Sequence, residues 1–386
     1  MTQAKDRKKD LLWLFLFLVV FINGFEAGGY QASLYSIGQA YDLSVTNMGI
    51  FASVELLATM LAPLILGNWA DKSDKLKCIL ILQVIQAVFA CAIFISSIQA
   101  LFIVGIFFLG MTTSALQFIA IAALAENYPL TGKKKIGIMT SMYALGALVS
   151  PLFVDFYLKR GISWRMFFLT LSLGTVITIV GILANRDSTG EVKDLSDEEK
   201  VGDGEFIILG VLLLCVVMCI YVGFENGFAF FVDTLFTDVL KSPLGKYALS
   251  LFWAVMIPSR VLVGYFSAHA RKILITSVVA IPIITVIIAQ MSNGAVVLAL
   301  CIPLGFACGA IYPSVLTTLL QFSGKRKATA TAMITVSTGI GGVVFTALTG
   351  VMAGALGMKN AIMCLAAFFI LSLAAVLSLN LKFLKK

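Results

Sequence analysis

Gly24-Phe25-Glu26-Ala27-Gly28 returns 199 residues later as Gly223-Phe224-Glu225-Asn226-Gly227, both reading G-F-E-x-G. Each copy sets a glutamate inside an apolar run, 11–36 for the first and 206–235 for the second. Two further echoes keep the order and nearly the offset. Gly67, near the end of one run, answers Gly264 near the end of another, 197 residues on. Gly132-Lys133-Lys134-Lys135 answers Gly324-Lys325-Arg326-Lys327 at an offset of 192. Each match alone is weak, but together they indicate a duplicated unit. Internal repeats of this kind are a recurring plan of secondary transporters, with the binding site near mid-membrane between the repeats.

Outward from these motifs, hydropathy gives twelve spans, roughly 11–36, 46–69, 78–97, 101–127, 136–158, 164–184, 206–235, 246–268, 273–292, 295–321, 328–356 and 360–381. A spanning helix needs roughly 20 apolar residues, and lipid offers an open backbone no hydrogen-bond partner. The expected fold is an all-α membrane protein of twelve transmembrane helices in two pseudo-symmetric six-helix bundles. Its divisions are a first bundle over 1–184, an acidic linker over 185–205 and a second bundle over 206–386. That linker carries eight acids: Asp187, Glu191, Asp194, Asp197, Glu198, Glu199, Asp203 and Glu205. It reads as a solvated tether.

Composition agrees. Of 386 residues, 60% are hydrophobic and 12% charged, against about a quarter charged in soluble domains. Mean hydropathy is +1.00. A soluble enzyme, a disordered chain and a small disulfide scaffold are excluded. The seven cysteines all fall in or at the edges of apolar runs without a CxxC, so they read as small apolar fillers rather than metal ligands or disulfides. The start of the chain has the look of a signal peptide, with Lys5, Arg7, Lys8 and Lys9 before Leu11. No small-residue cleavage site follows a short apolar core, so the run is expected to stay as the first span.

The net charge of +8 lies in short clusters between runs. With both termini on one side, the segments of that side hold 21 of the 28 Lys and Arg and those of the other hold 6. The positive-inside rule places the basic side, with both termini, in the cytoplasm. The chain is expected as a multi-pass protein of the cell (inner) membrane, embedded in lipid, monomeric, and without nucleic acid as a partner.

Ionisable residues inside spans carry the functional signal, because each costs about 2.5–3.5 kcal/mol at a helix centre. Glu26 lies about mid-membrane in span 1 and Glu225 in the matching place in span 7. A carboxyl in a low-dielectric cavity resists ionisation and can take up and release a proton, so these two are the proton-coupling candidates. The competing reading locks each to a neighbouring helix through Arg260 or a polar side chain. Glu55 in span 2 and Asp233 in span 7 are weaker candidates, and Asp155 sits where it reaches water. Asn23, Tyr30, Gln31, Asn226 and Phe230 cluster near the two acids, with Trp253 and Arg260 in span 8, Gln117 in span 4 and Tyr143 in span 5. Aromatic faces beside amides suit sugars or solutes of mixed polarity, although packing also explains the aromatics. A gate counter-ion, an anion anchor and a structural ion pair all remain open for Arg260.

Span 5 carries Gly146-Ala147-Leu148-Val149-Ser150-Pro151, and span 11 carries Gly339, Gly341, Gly342 and Gly350. Small residues let helices approach closely and proline permits a bend, so these are expected at a rocking interface between the halves. The loop after span 2 reads Gly67-Asn68-Trp69-Ala70-Asp71-Lys72-Ser73-Asp74-Lys75-Leu76-Lys77. It resembles the loop of the major facilitator superfamily, G-x-x-x-D-R-x-G-R-[RK], with Asp74 where glycine is usual. The resemblance covers essentially the whole chain. It implies that Asp71 caps a neighbouring helix and that Gly67, Asp71, Lys72 and Lys75 serve gating, with Gly146 and Pro151 of the span 5 motif; Glu126, at the cytoplasmic end of span 4, reads as a gate or loop anchor. The second loop copy lacks the acid and holds His269, read as a solvated loop residue.

Within the superfamily, Tyr221-Val222-Gly223-Phe224-Glu225, Phe252-Trp253 with Arg260, Gly305-Phe306 and Tyr312-Pro313 are similar to the fucose–galactose–glucose permease group, although the acid of that group's fourth span is missing. Glu26, nine residues before Tyr35, resembles the span 1 acid of drug–proton antiporters, with Tyr35 in place of their proline. The first similarity implies sugar uptake and the second implies export.

No G-x-x-x-x-G-K-[ST], H-E-x-x-H, His/Cys cluster or nucleophile elbow occurs, so neither ATP nor a metal is expected, nor an enzyme. The expectation is a secondary transporter of a small solute, preferably a sugar or similar polar metabolite, energised by a proton gradient without a cofactor. Efflux of amphipathic compounds by proton antiport is the alternative, favoured if Phe224, Phe228, Phe230 and Phe231 line the cavity. A non-transporting receptor or lipid-handling protein is a further one.

Overall fold

Ser44, Asp74 and Asn293 show how this chain starts its helices. Each side-chain oxygen accepts a backbone N–H of the first turn, from Asn47 at 3.2 Å, Lys77 at 2.8 Å and Ala295 at 2.9 Å. A capping oxygen satisfies a donor that no helical carbonyl can reach. The computed structural model describes residues 11–128, 132–186, 205–324 and 326–383. The N-terminal basic cluster and most of the expected linker fall outside the described residues.

The first half contains α1 (Leu12–Ala40), α2 (Val45–Lys72), α3 (Lys75–Ile95), α4 (Gln99–Asn127), α5 (Gly132–Lys159) and α6 (Met166–Asn185). The second contains α7 (Ile208–Thr234), α8 (Gly245–Tyr265), α9 (Ala270–Gln290), α10 (Gly294–Ser323), α11 (Lys327–Leu356), α12 (Met358–Ala367) and α13 (Phe369–Phe383). No strand occurs among the described residues, and twelve helical segments are long and apolar enough to cross a membrane. Two details differ from the expected spans. The seventh continues through a π-helical turn, Leu235–Val239, and the twelfth breaks at Phe368 into α12 and α13. Prolines 63, 151, 258, 282, 303 and 313 lie inside helices, where neighbouring helices and side chains re-satisfy the freed carbonyls.

The duplication is written into the backbone as well. Asp42 and Lys241, each at φ 50°, turn the chain after the first and seventh spans. Gly161 at φ 72° and Gly357 at φ 83° do so after the fifth and eleventh. The first pair is offset by 199 residues, as the G-F-E-x-G motifs are. Packing follows the same symmetry: α1 lies on α5 as α7 lies on α11, and α2–α11 and α5–α8 join the two halves.

The small residues serve both kinds of seam, which corrects one expectation. A Cβ at Gly146 would collide with the backbone of Phe21 and Phe25, and one at Gly24 with the backbone of Tyr143. Gly146 therefore holds α5 on α1 within one half rather than at the interface between halves. Gly341 does the same for α11 on α7, meeting Cys219. Gly350 and Gly339 lie between the halves: a Cβ on Gly350 would come 2.9 Å from Gly49 Cα, and Gly339 meets Met60. A glycine tract marks close approach without naming the partner helix.

Candidate functional site

Between the halves lies a cavity of about 1000 Å³. Its lining runs from Gln31, Glu55 and Trp253 at mid-helix depth towards Ile138, Gly264 and Thr335. It thus opens to the end of the molecule where the Lys- and Arg-rich connections lie, called here the basic end. At the opposite end the halves are joined. Tyr35 donates its hydroxyl to Asp238 at 2.7 Å, and Ser53 donates to the Val343 carbonyl at 3.0 Å. Tyr247 takes a bond from Lys159 at 2.8 Å and gives one to Asp155 at 2.9 Å. Asp155 is therefore a partner in this seam and pairs with Lys159 at 2.8 Å, where the sequence suggested a simple reach to water. Beside them Asp233 pairs with Lys246 at 2.7 Å within the second half.

Those contacts predict a conformational effect. Each hydrogen bond contributes about 0.5–1.5 kcal/mol, more where one group is charged. Tyr35→Phe combined with Tyr247→Phe is expected to shift the balance towards opening of that end by roughly 5- to 150-fold, the range of about 1–3 kcal/mol. Spin labels at Gln39 and Lys241 in a cysteine-depleted background would report it as a longer distance, and an unchanged distance distribution would mean that the bonds do not hold the seam.

The lining gathers several residues expected from the sequence: Gln31, Gln117, Tyr143, Glu225, Asn226, Trp253 and Arg260. Trp253 Nε1 donates to Gln31 Oε1 at 3.1 Å, joining the halves at the cavity roof. Glu225 accepts the Tyr221 hydroxyl at 3.1 Å and lies 3.8 Å from the Arg260 guanidinium. Arg260 Nε is buried without a hydrogen-bond partner.

Four expected residues stand behind the wall. Asn23, Glu26, Tyr30 and Phe230 are buried and absent from the lining. Asn23, Glu26 and Tyr30 share a face of α1, whereas Ala27 and Gln31 face the cavity; one helical residue turns the side chain by about 100°. Glu26 Oε2 accepts from Thr113 at 3.1 Å, and Thr113 accepts from Gln86 at 3.2 Å. Gln86 also donates to Asn23 at 3.4 Å and accepts from Thr175 at 3.3 Å. Gln83 and Thr178 extend this buried polar layer. Tyr30 donates to the Phe51 carbonyl at 2.9 Å and meets Phe230 edge-on at 5.4 Å. Phe224, Phe228 and Phe231 likewise pack into the core and not against the cavity. Glu55, Thr59, Ser114, Ser141 and Tyr312 line the cavity; sequence reasoning assigned Thr59, Ser114 and Ser141 nothing, and Tyr312 only a place in the permease resemblance.

Of the residues expected to serve gating, Gly67, Asp71, Lys72, Lys75 and Glu126 lie at the open, basic end, whereas Gly146 and Pro151 lie further along α5. A Cβ on Gly67 or Gly264 would meet nothing within 4 Å. Asp71 and Lys72 are exposed, and the helix cap in this loop comes from Asp74, on α3. Lys75 Nζ binds the Ala70, Asp71 and Ser73 carbonyls at 2.8, 3.3 and 3.4 Å, closing the end of α2 where a cation suits the helix dipole. It also reaches Glu126 at 3.5 Å. Pro151 is buried in α5. Among the described residues no cluster of three His, Cys, Asp or Glu is placed to hold a metal ion.

The family model described as Major Facilitator Superfamily matches residues 16–344. The chain belongs to the major facilitator superfamily. Members of this superfamily are transporters rather than enzymes, and the chain is an integral, multi-pass membrane protein. The glucose/mannose transporter GlcP of Bacillus subtilis (strain 168) is 21% identical over 309 residues, covering 76% of this chain and 75% of the relative. A bacterial homologue of the human lysosomal transporter Spinster, solved inward-facing and occupied, superposes with a TM-score of 0.83 at 13% identity over 99% of both chains. A point mutant of the nucleoside transporter NupG gives 0.73 at 14% identity, over 95% of this chain and 99% of the other. At these identities the two structures share the major facilitator fold with this chain.

Proposed function

We propose that this transporter carries a sugar or a similar polar metabolite by alternating access, coupled to protons. The lining carries the reading. The amides of Gln31, Gln117 and Asn226 stand with the rings of Trp253, Tyr143 and Tyr312, a set that stacks on and hydrogen-bonds to a polyhydroxylated ring. The phenylalanines that would favour amphipathic drugs lie away from the cavity. GlcP, named a glucose/mannose transporter, points the same way. The positive-inside rule puts the basic end, and so the open cavity, in the cytoplasm. Glu26 and Glu225 are the acids through which the proton gradient would act, and a monomer suffices because one chain holds the whole path.

The test is counterflow of labelled glucose, mannose and other sugars in vesicles holding the purified protein, with amphipathic cations as the rival panel. Trp253→Ala is expected to weaken sugar counterflow roughly 10- to 100-fold, the equivalent of about 1.4–2.8 kcal/mol. Transport of the cations with no sugar counterflow would overturn the sugar reading.

A further inference from the structure

The acid that faces the cavity in the first half is Glu55, not Glu26. Glu55 is 3% exposed and Glu26 is fully buried. They reach one junction from two helices. Glu55 Cγ lies against Gly110 of α4, 3.0 Å from where a Cβ would stand. Glu26 bonds Thr113 one turn along the same helix, and Tyr30, one turn past Glu26, bonds the Phe51 carbonyl one turn before Glu55. The two carboxyls thus flank one stretch of α4, Gly110 to Thr113.

Among the described residues no ion pair balances them. The basic side chain nearest in the cavity, Arg260, stands beside Glu225 of the second half. Among the described residues the elements around the two acids add Tyr30 from α1 and Tyr143 from α5 as titratable groups, and Tyr143 lines the cavity together with Glu55, Glu225 and Arg260. Facing them, α3, α4 and α6 offer the neutral Gln86, Thr113 and Thr175, and α11 has no Asp, Glu, Lys, Arg, His, Tyr or Cys over 328–356. Two buried carboxylates without a counter-ion cannot both stay charged.

The hydrogen bonds show where a proton fits. Gln86 Nε2 donates both to Asn23 Oδ1 and to the Thr113 hydroxyl oxygen. The Thr113 proton therefore points at Glu26 Oε2. Glu26 Oε1 is buried with no partner, and among the described residues Glu55 has no cation in an ion pair with it, the Arg260 guanidinium lying on Glu225.

We propose that Glu26 and Glu55 form one site for a single exchangeable proton, and that Glu55 is the member that passes the proton to and from the cavity. The proton leaves a Glu55 carboxyl oxygen for cavity water, the pair is left with one more negative charge, and uptake reverses the step. Only the link between this site and solute movement rests on the transport reading above.

Infrared spectroscopy of the purified full-length protein in lipid tests the site without any substrate. A deuterium-sensitive band of protonated carboxyl is expected in the wild type at neutral pH, and both E26Q and E55Q are expected to remove or displace it. A band unaltered in both variants would overturn the proposal, with gel filtration and thermal melting confirming that each variant is folded. Vesicles then test the coupling. The ratio of pH-gradient-driven sugar accumulation to sugar counterflow is expected to fall at least about tenfold in E55Q and to recover in part in E55D. An unchanged ratio, or wild-type accumulation driven by a sodium gradient and not by pH, would overturn it. Absence of sugar counterflow in the wild type would instead sink the sugar reading, and the infrared arm would still decide the proton site.

Discussion

Gly146→Leu is expected to abolish the folded transporter, whereas Gly67→Leu is expected to leave it folded and stop its cycle. Any side chain at Gly146 meets the backbone of α1 at Phe21 and Phe25, and backbone cannot move aside as a flexible side chain can. Overpacking a core costs typically about 1–3 kcal/mol and more where nothing yields. The α1–α5 seam must then separate, taking with it the buried layer in which Asn23 and Glu26 sit. Loss of the monodisperse peak in gel filtration of detergent-solubilised protein is the readout. At Gly67 the same side chain meets open space, and leucine is the better helix former by roughly 0.5–1 kcal/mol. Folding is kept, but the added bulk stands where the basic end must close in the other half of the cycle. A Gly67→Leu variant with wild-type flux would show that this end does not close around that position.

Arg260→Ala is expected to reduce transport at least about 100-fold, with a loss of folded protein that Glu225→Gln repairs. Glu225 is buried, and its partners are the Tyr221 hydroxyl and the guanidinium at 3.8 Å. Arg260 is partly exposed, but Glu225 is buried, so removing the guanidinium strands the Glu225 charge while removing both charges does not. The double substitution Arg260→Ala with Glu225→Gln should therefore restore the yield but not the flux, because the cavity has lost its cation. Arg260→Lys should recover transport only in part, since a lysine cannot reproduce the planar fork. Gel filtration separates folding from function, and vesicle flux measures the second. Wild-type flux in Arg260→Ala would remove Arg260 from the transport path.

The glutamates were visible in the sequence because a charge in an apolar run is costly and therefore conspicuous. Their depth was visible too, since position along a run gives position across the bilayer. Their direction was not. The helix α1 is apolar and buried on nearly every side from Val19 to Leu34, so no 3.6-residue contrast says which face meets the cavity. This is why Glu26 and Gln31 read alike in the sequence yet lie on different faces of α1, one behind the wall and one in the lining. It is also why Glu55, which faces the cavity, drew less weight than Glu26. The far-end seam escaped for another reason. Tyr35 and Asp238 are 203 residues apart and Tyr247 and Asp155 are 92 apart, and a polar residue at the end of a span needs no partner to explain it.

By itself the sequence determined the twelve spans, the duplication at an offset near 199 residues and the basic asymmetry between the two sides. Each follows from the cost of exposing backbone or charge to lipid, a property of single segments. Tertiary structure alone decided which residues surround the cavity, which glycines hold a half together and which lie between halves, and which end is closed. Those outcomes depend on the rotation of each helix about its own axis, and that rotation is set by neighbours hundreds of residues away in the chain.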